Sequence, residues 1–206
     1  MDTSPLTCTD EEILTIAHQL VSAYALKKTI RYGTARDKNL HAESVAEHVF
    51  AITFLAHYFL EVEPIGPSLD AQKVKSILLF HDFGEIKHGD IVTYHKTNED
   101  VEREQAAANE VFAALPPPLQ KIGYDYWIEY EEQKTPESHF AYAIDKMEPL
   151  FELLDPVNEK SLKRLKITYE MNVSNKFKPV AQYPVMKRFV EVISNDLVRR
   201  DIFWKE

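Results

Sequence analysis

Along almost the whole of this 206-residue chain apolar residues return every three or four positions, and only five glycines interrupt them. That period belongs to a helix with one apolar stripe, and each stripe has to be buried against a neighbour. The pattern therefore predicts an all-α bundle. Ile13, Ile16, Ala17, Leu20, Tyr24 and Leu26 approximate one helix face, with Thr9 as N-cap and Glu12 three residues on. Val45, Val49, Ile52, Ala56 and Phe59 mark a second helix, closed by Pro64, Gly66 and Pro67. A third is expected over about 69–83 through Val74, Ile77 and Leu78, and a fourth over 98–115, stopped by the triple proline 116–118. Shorter helices are expected over 119–131, a long one over 138–154, and two more over about 159–171 and 184–204. The stretch 87–98 reads as an ordered functional loop.

A hydrophobic fraction of 45% supports one substantial core, so residues 1–206 are expected to form a single domain. The single cysteine, Cys8, excludes an intrachain disulfide framework and a thiolate zinc site, and points to a reducing compartment, the cytoplasm. The first residues lack the basic start and apolar stretch of a secretory signal. No run of eighteen apolar residues occurs, so no membrane span is expected. A net charge of −9 disfavours binding of a nucleic acid polymer, yet leaves room for a small anion held by a metal and a few local cations.

The chemistry concentrates in HDFGEIKHGD, which ends the apolar run KVKSILLF. His81 follows Ile77 and Leu78 by one turn and faces inward, and Asp82 is its neighbour. His48 lies three residues after Val45 on the buried side of its own helix, and Asp145 adjoins Ile144 on the long helix. Read singly, His48 is an ordinary hydrogen-bonded core residue and Asp145 a boundary acid paired to Lys146. Read together, three helices each turn a ligand toward the core they share. Two imidazoles and two carboxylates form a mixed nitrogen and oxygen set suited to Mn, Fe, Co or Zn. Glu85, one turn beyond His81, has the spacing to orient a metal-bound water or take its proton, and Asp90 follows a glycine that can turn it back to the same cavity. The plain reading of both is a solvated acid. Arg31 and Lys96 are cations near the motif, each a surface charge when read alone. Tyr32 has the shape to stack on a sugar or base, or to pack on the bundle.

At IRYGTAR, ESVAEHVF, LLFHDFGEIKHGDIVTYHK and YAIDKMEPL the chain resembles the HD-domain metal-dependent phosphohydrolases, whose signature is His … His-Asp … Asp. Within them it is most similar to the YfbR-like 5′-deoxynucleotidases and the eukaryotic HD-domain-containing protein 2 group. The matching segments span about residues 30–150. The resemblance implies an HD-type helical bundle and one divalent metal on His48, His81, Asp82 and Asp145. It also implies Glu85 and Asp90 as catalytic carboxylates, Arg31 on the phosphate, and a homodimer. Tyr32 stands where bacterial members often have Trp beside the sugar, and the stretch between Arg31 and His48 is longer than theirs.

The expected function is hydrolysis of a (deoxy)nucleoside 5′-monophosphate, with Arg31 and Lys96 stabilising charge on the phosphate oxygens. A triphosphohydrolase or a phosphodiesterase keeps the metal and changes the substrate, although a triphosphate calls for more Lys and Arg than the motif region shows. A non-catalytic module pinned by metal would have no use for Glu85 and Asp90.

Overall fold

The computed structural model describes residues 26, 28–31, 43–89, 97–155, 158 and 160–205. The expected helix before Leu26, together with Tyr32, Asp90 and Lys96, lies outside the described residues. Among those described, nine α-helices follow in order: α1 Val45–Val62, α2 Ala71–Phe80, α3 Glu85–His88, α4 Asn98–Ala113, α5 Pro117–Glu132, α6 Pro136–Glu152, α7 Ser161–Arg164, α8 Tyr169–Val180 and α9 Pro184–Arg199. The architecture is all-α.

Local chemistry sets the helix starts. Ser44 and Glu47 form a capping box on α1: the Ser44 hydroxyl accepts the Glu47 N–H, and the Glu47 carboxylate accepts the Ser44 N–H at 2.6 Å. Asp70 accepts the N–H groups of Gln72 and Lys73 at the head of α2. After α1 the chain doubles back through Gly66, where a Cβ would stand 1.9 Å from the Leu60 carbonyl oxygen, so only glycine fits that turn. Ahead of α1, an isolated bridge between Ile30 and Ser44, with the Arg31 N–H on the Glu43 carbonyl at 3.0 Å, ties the Arg31 segment to the helix that carries His48.

Three expectations change. The proline run that stops α4 also starts α5, because a proline in the first helical turn gives up no hydrogen bond there. One 16-residue helix therefore replaces the shorter ones expected. The third helix stops at Phe80, and 81–84 form a turn leading into α3. The helix expected over 159–171 is the single turn α7, broken where Lys166 adopts a φ of 55°, and Thr168 then caps a separate α8.

The main core is formed by α1, α2, α6, α8 and α9 around Ile52, Phe59, Ile77, Phe140, Ile144, Met147, Val190 and Leu197. A second cluster, Val45, Phe80, Phe83, Ala108, Phe112, Leu115 and Trp127, lies between the end of α2 and the α4–α5 pair. Among the described residues α1 is the one helix long and apolar enough to cross a membrane, with 18 residues and a mean hydropathy of 1.3, although charged and polar residues interrupt its apolar run. Its buried residues, Val45, His48, Ile52, Ala56, Phe59 and Leu60, serve the bundle.

Candidate metal centre

Where α1, the end of α2 and α6 meet, the structure brings His48, His81, Asp82 and Asp145 together. One ligand atom each from His48, His81 and Asp82 lie within 4.8 Å of one another. Asp145 Oδ1 stands 3.0 Å from His48 Nε2 and 3.7 Å from His81 Nε2. Asp82 presents Oδ1 to His81 Nε2 at 3.0 Å and Oδ2 to His48 Nε2 at 3.9 Å. Both histidines are buried, whereas the Asp82 side chain keeps 17% exposure, the most of the four.

Three of the four donors are held from behind. His81 Nδ1 lies 2.9 Å from the Leu78 carbonyl, which can only accept, so Nδ1 carries the proton and Nε2 is turned to the centre. That Nε2 is sealed from solvent and has no hydrogen bond of proper geometry. His48 Nδ1 lies 2.9 Å from Glu148 Oε2, which fixes its tautomer in the same sense. Asp145 keeps Oδ1 for the centre while Oδ2 accepts from the Tyr130 hydroxyl and pairs with Lys146 Nζ at 2.7 Å. Two inward nitrogens and two oriented carboxylates, one nitrogen otherwise orphaned, fit a divalent ion of borderline softness.

The electrostatics agree. Burial opposes protonation of His81, but Asp82 and Asp145 outweigh it and hold the imidazole up to about 10. Burial and Arg31 oppose protonation of His48, and the bonds to Asp145 and Glu148 still raise it. Burial resists ionisation of Asp145, yet Lys146 and the two histidines hold it well below the usual carboxylate range. Without metal the imidazole protons balance the carboxylates, and a divalent ion would take over that role and release them.

Behind His48 lies a second layer that the sequence reading missed. Arg31, expected to touch phosphate, has Nη1 3.3 Å from Glu43 Oε2 and 3.4 Å from Glu148 Oε2. Glu43, His48 and Glu148 are themselves close enough to hold an ion. Arg31 already supplies the cation there, so this layer braces His48. Burial and the neighbouring Glu148 push the Glu43 carboxyl up to about 8, against the pull of Arg31. Glu148 was legible in principle, because it follows Asp145 by three residues on the same inward stripe. Glu43 and Tyr130 left no comparable signal. Glu85 opens α3, and its side chain is buried. The turn before it approaches α4 closely, since a Cβ on Gly84 would stand 3.2 Å from Glu104 Cγ.

The sequence model of the HD domain family matches residues 23–183. The chain belongs to the HD domain family. Among curated proteins, this HD domain is 28% identical over 129 residues to 5'-deoxynucleotidase HDDC2 of Danio rerio, 62% of each chain. It is 23% identical over 188 residues to 5'-deoxynucleotidase hdd1 of Schizosaccharomyces pombe, 87% of each. The aligned region thus spans 62% of the length of the Danio rerio relative. Among solved structures, a "Predicted metal-dependent phosphohydrolase" from Magnetospirillum magnetotacticum superposes with a TM-score of 0.78 at 26% identity, over 94% of this chain and 96% of that one. An HD-domain phosphohydrolase from Listeria innocua shares the fold at 19% identity, with a TM-score of 0.57 over 91% and 89% of the two chains.

Proposed function

We propose that this HD domain is a metal-dependent phosphohydrolase that converts (deoxy)nucleoside 5′-monophosphates to nucleoside and phosphate, with one divalent ion on His48, His81, Asp82 and Asp145. The observation that carries the reading is the convergence of four donors on one point, three of them locked from behind and Asp82 the most exposed of the four. The relatives named 5'-deoxynucleotidase and metal-dependent phosphohydrolase support the substrate class. When bound, the ion supplies a Lewis acid for a phosphoryl oxygen and lowers the pKa of a water toward neutrality.

The rest falls to the chain. Glu85, with Asp90, takes a proton from the water that attacks phosphorus as the bond to the 5′-oxygen breaks, and that proton passes on to the departing 5′-oxygen, which leaves as the nucleoside. Lys146 and Tyr130 keep Asp145 oriented, and Arg31 keeps Glu148 against His48. Tyr32 and Lys96 complete the proposed substrate contacts. The preference for one phosphate over three draws on the relatives alone, because a cation count near the motif omits Lys146 and Lys176. A phosphate-release screen of metal-loaded protein against nucleoside mono-, di- and triphosphates tests the reading. Release from deoxynucleoside monophosphates is expected. Release from triphosphates alone would replace the substrate, and release from none would leave a metal-pinned module.

The same proposal covers residues 1–206 as one unit in the cytoplasm, acting as a homodimer. An exposed aromatic stripe on α1, with Phe50, Phe54 and Tyr58 at 73%, 67% and 49% exposure, supports the dimer, and light scattering of wild type and Phe54→Glu checks it.

A further inference from the structure

Lysine occupies an unexpected place on α8. The buried face of that helix is Asn172, Lys176 and Val180, spaced four residues apart. Asn172 is satisfied by a 3.2 Å bond to the Ser194 hydroxyl, and Val180 is part of the main core. Lys176 between them is 8% exposed, and among the described residues no carboxylate or carbonyl holds it. An ammonium taken from water without a partner is costly, and an aliphatic residue in its place would stabilise the bundle. The residue nevertheless keeps that 8% exposure, so some open space borders it.

The surroundings say which space. The charges that act on Lys176 are Lys146, Asp145, Arg31 and Glu148, all members of the metal centre or of the layer behind it. α8 packs on α6, the helix that carries Asp145 and Glu148. The other two cations are engaged, Lys146 by Asp145 and Arg31 by Glu43 and Glu148. Burial and the Lys146 ammonium depress Lys176 to about 7, which an arriving anion would reverse.

Resting on the phosphohydrolase reading, we propose that Lys176 binds the phosphate group of the substrate, as the cation that, among the described residues acting at the centre, is not already held by a carboxylate. Its cost to the free protein is then recovered when a phosphate monoester, or inorganic phosphate as product, occupies the site.

The test compares full-length wild type, Lys176→Met and Lys176→Arg, all loaded with Mn²⁺, with inorganic phosphate as the probe. Bound metal, melting temperature without phosphate, phosphate affinity by calorimetry, and kcat and KM for dAMP are measured. Lys176→Met should keep its metal and melt no lower than wild type, yet bind phosphate at least about tenfold more weakly, the scale of one hydrogen bond to a charged group. KM for dAMP should rise more than kcat falls, and Lys176→Arg should recover part of the affinity. Unchanged phosphate affinity in Lys176→Met overturns the proposal. So does a lower melting temperature or failure to fold, since either would mean that the lysine has a structural partner. A wild type that binds phosphate through Lys176 but hydrolyses no nucleotide sinks the phosphohydrolase reading and leaves this one standing. The reverse result, with dAMP hydrolysed and phosphate affinity indifferent to residue 176, does the opposite.

Discussion

At the scale of single residues, His48, His81 and Asp145 each turn one atom inward and anchor another, while Asp82 turns both oxygens to the histidines. Glu148 is the most informative anchor, since it holds His48 Nδ1 at 2.9 Å and is itself braced by Arg31. Removing such an outer partner typically weakens a metal site by about 10–100-fold. Glu148→Ala should therefore lower metal affinity by that factor, measured by chelator competition, while His81 and Asp82 remain. His81 predicts a pH dependence in metal-free protein. Its imidazole is held up to about 10 in the folded protein against an ordinary 6.5, so its contribution is fully present below about 6.5 and lost as pH rises toward 10. Lys176, depressed to about 7 from 10.5, has the opposite sign over nearly the same window, so the two must be separated. The stability difference between wild type and His81→Gln in urea should shrink from pH 6.5 to 10. A difference that stays constant would mean that His81 is not held protonated by its carboxylates.

At the scale of elements, the helix starts are where local chemistry and packing meet. α9 begins at Pro184 with no side-chain cap of its own. Glu63, at the end of α1, supplies one instead by accepting the Met186 N–H at 2.6 Å. The carboxyl is buried and its pKa is raised by that burial, so the bond matters more than the charge. Glu63→Ala should cost about 1–2 kcal/mol in chemical denaturation, the scale of a lost cap, whereas Glu63→Gln keeps an accepting oxygen and should cost far less. Equal losses would show that charge, not the hydrogen bond, joins α1 to α9. The helices readable from sequence were those with uninterrupted apolar stripes, such as α1 and α6. α8 was not readable because Asn172 and Lys176 occupy its inward face, so the polarity that serves the site erased the stripe that marks a helix. The α7–α8 break turns on a positive φ at Lys166, for which that residue type gives no sign.

At the scale of the whole molecule, three helices far apart in sequence meet at one point, and the buried charges there are arranged around it in layers. That His48, His81, Asp82 and Asp145 converge was legible because metal chemistry restricts residue type and inward facing restricts spacing. In the supporting layer the Asp145–Lys146 pair and the spacing of Glu148 were legible too, whereas Glu43, Tyr130 and the bracing role of Arg31 were not, because they are defined by contacts across the bundle rather than by any pattern along the chain. A function assigned to this centre stands or falls with the metal. Metal-stripped protein should be titrated with Mn²⁺ while bound ion and phosphate release from dAMP are followed in the same samples. Both should rise together and level off at about one ion per chain, as one set of four converging donors requires. Phosphate release that is indifferent to added ion, or an ion bound at full stoichiometry with no release from dAMP, would contradict the assignment.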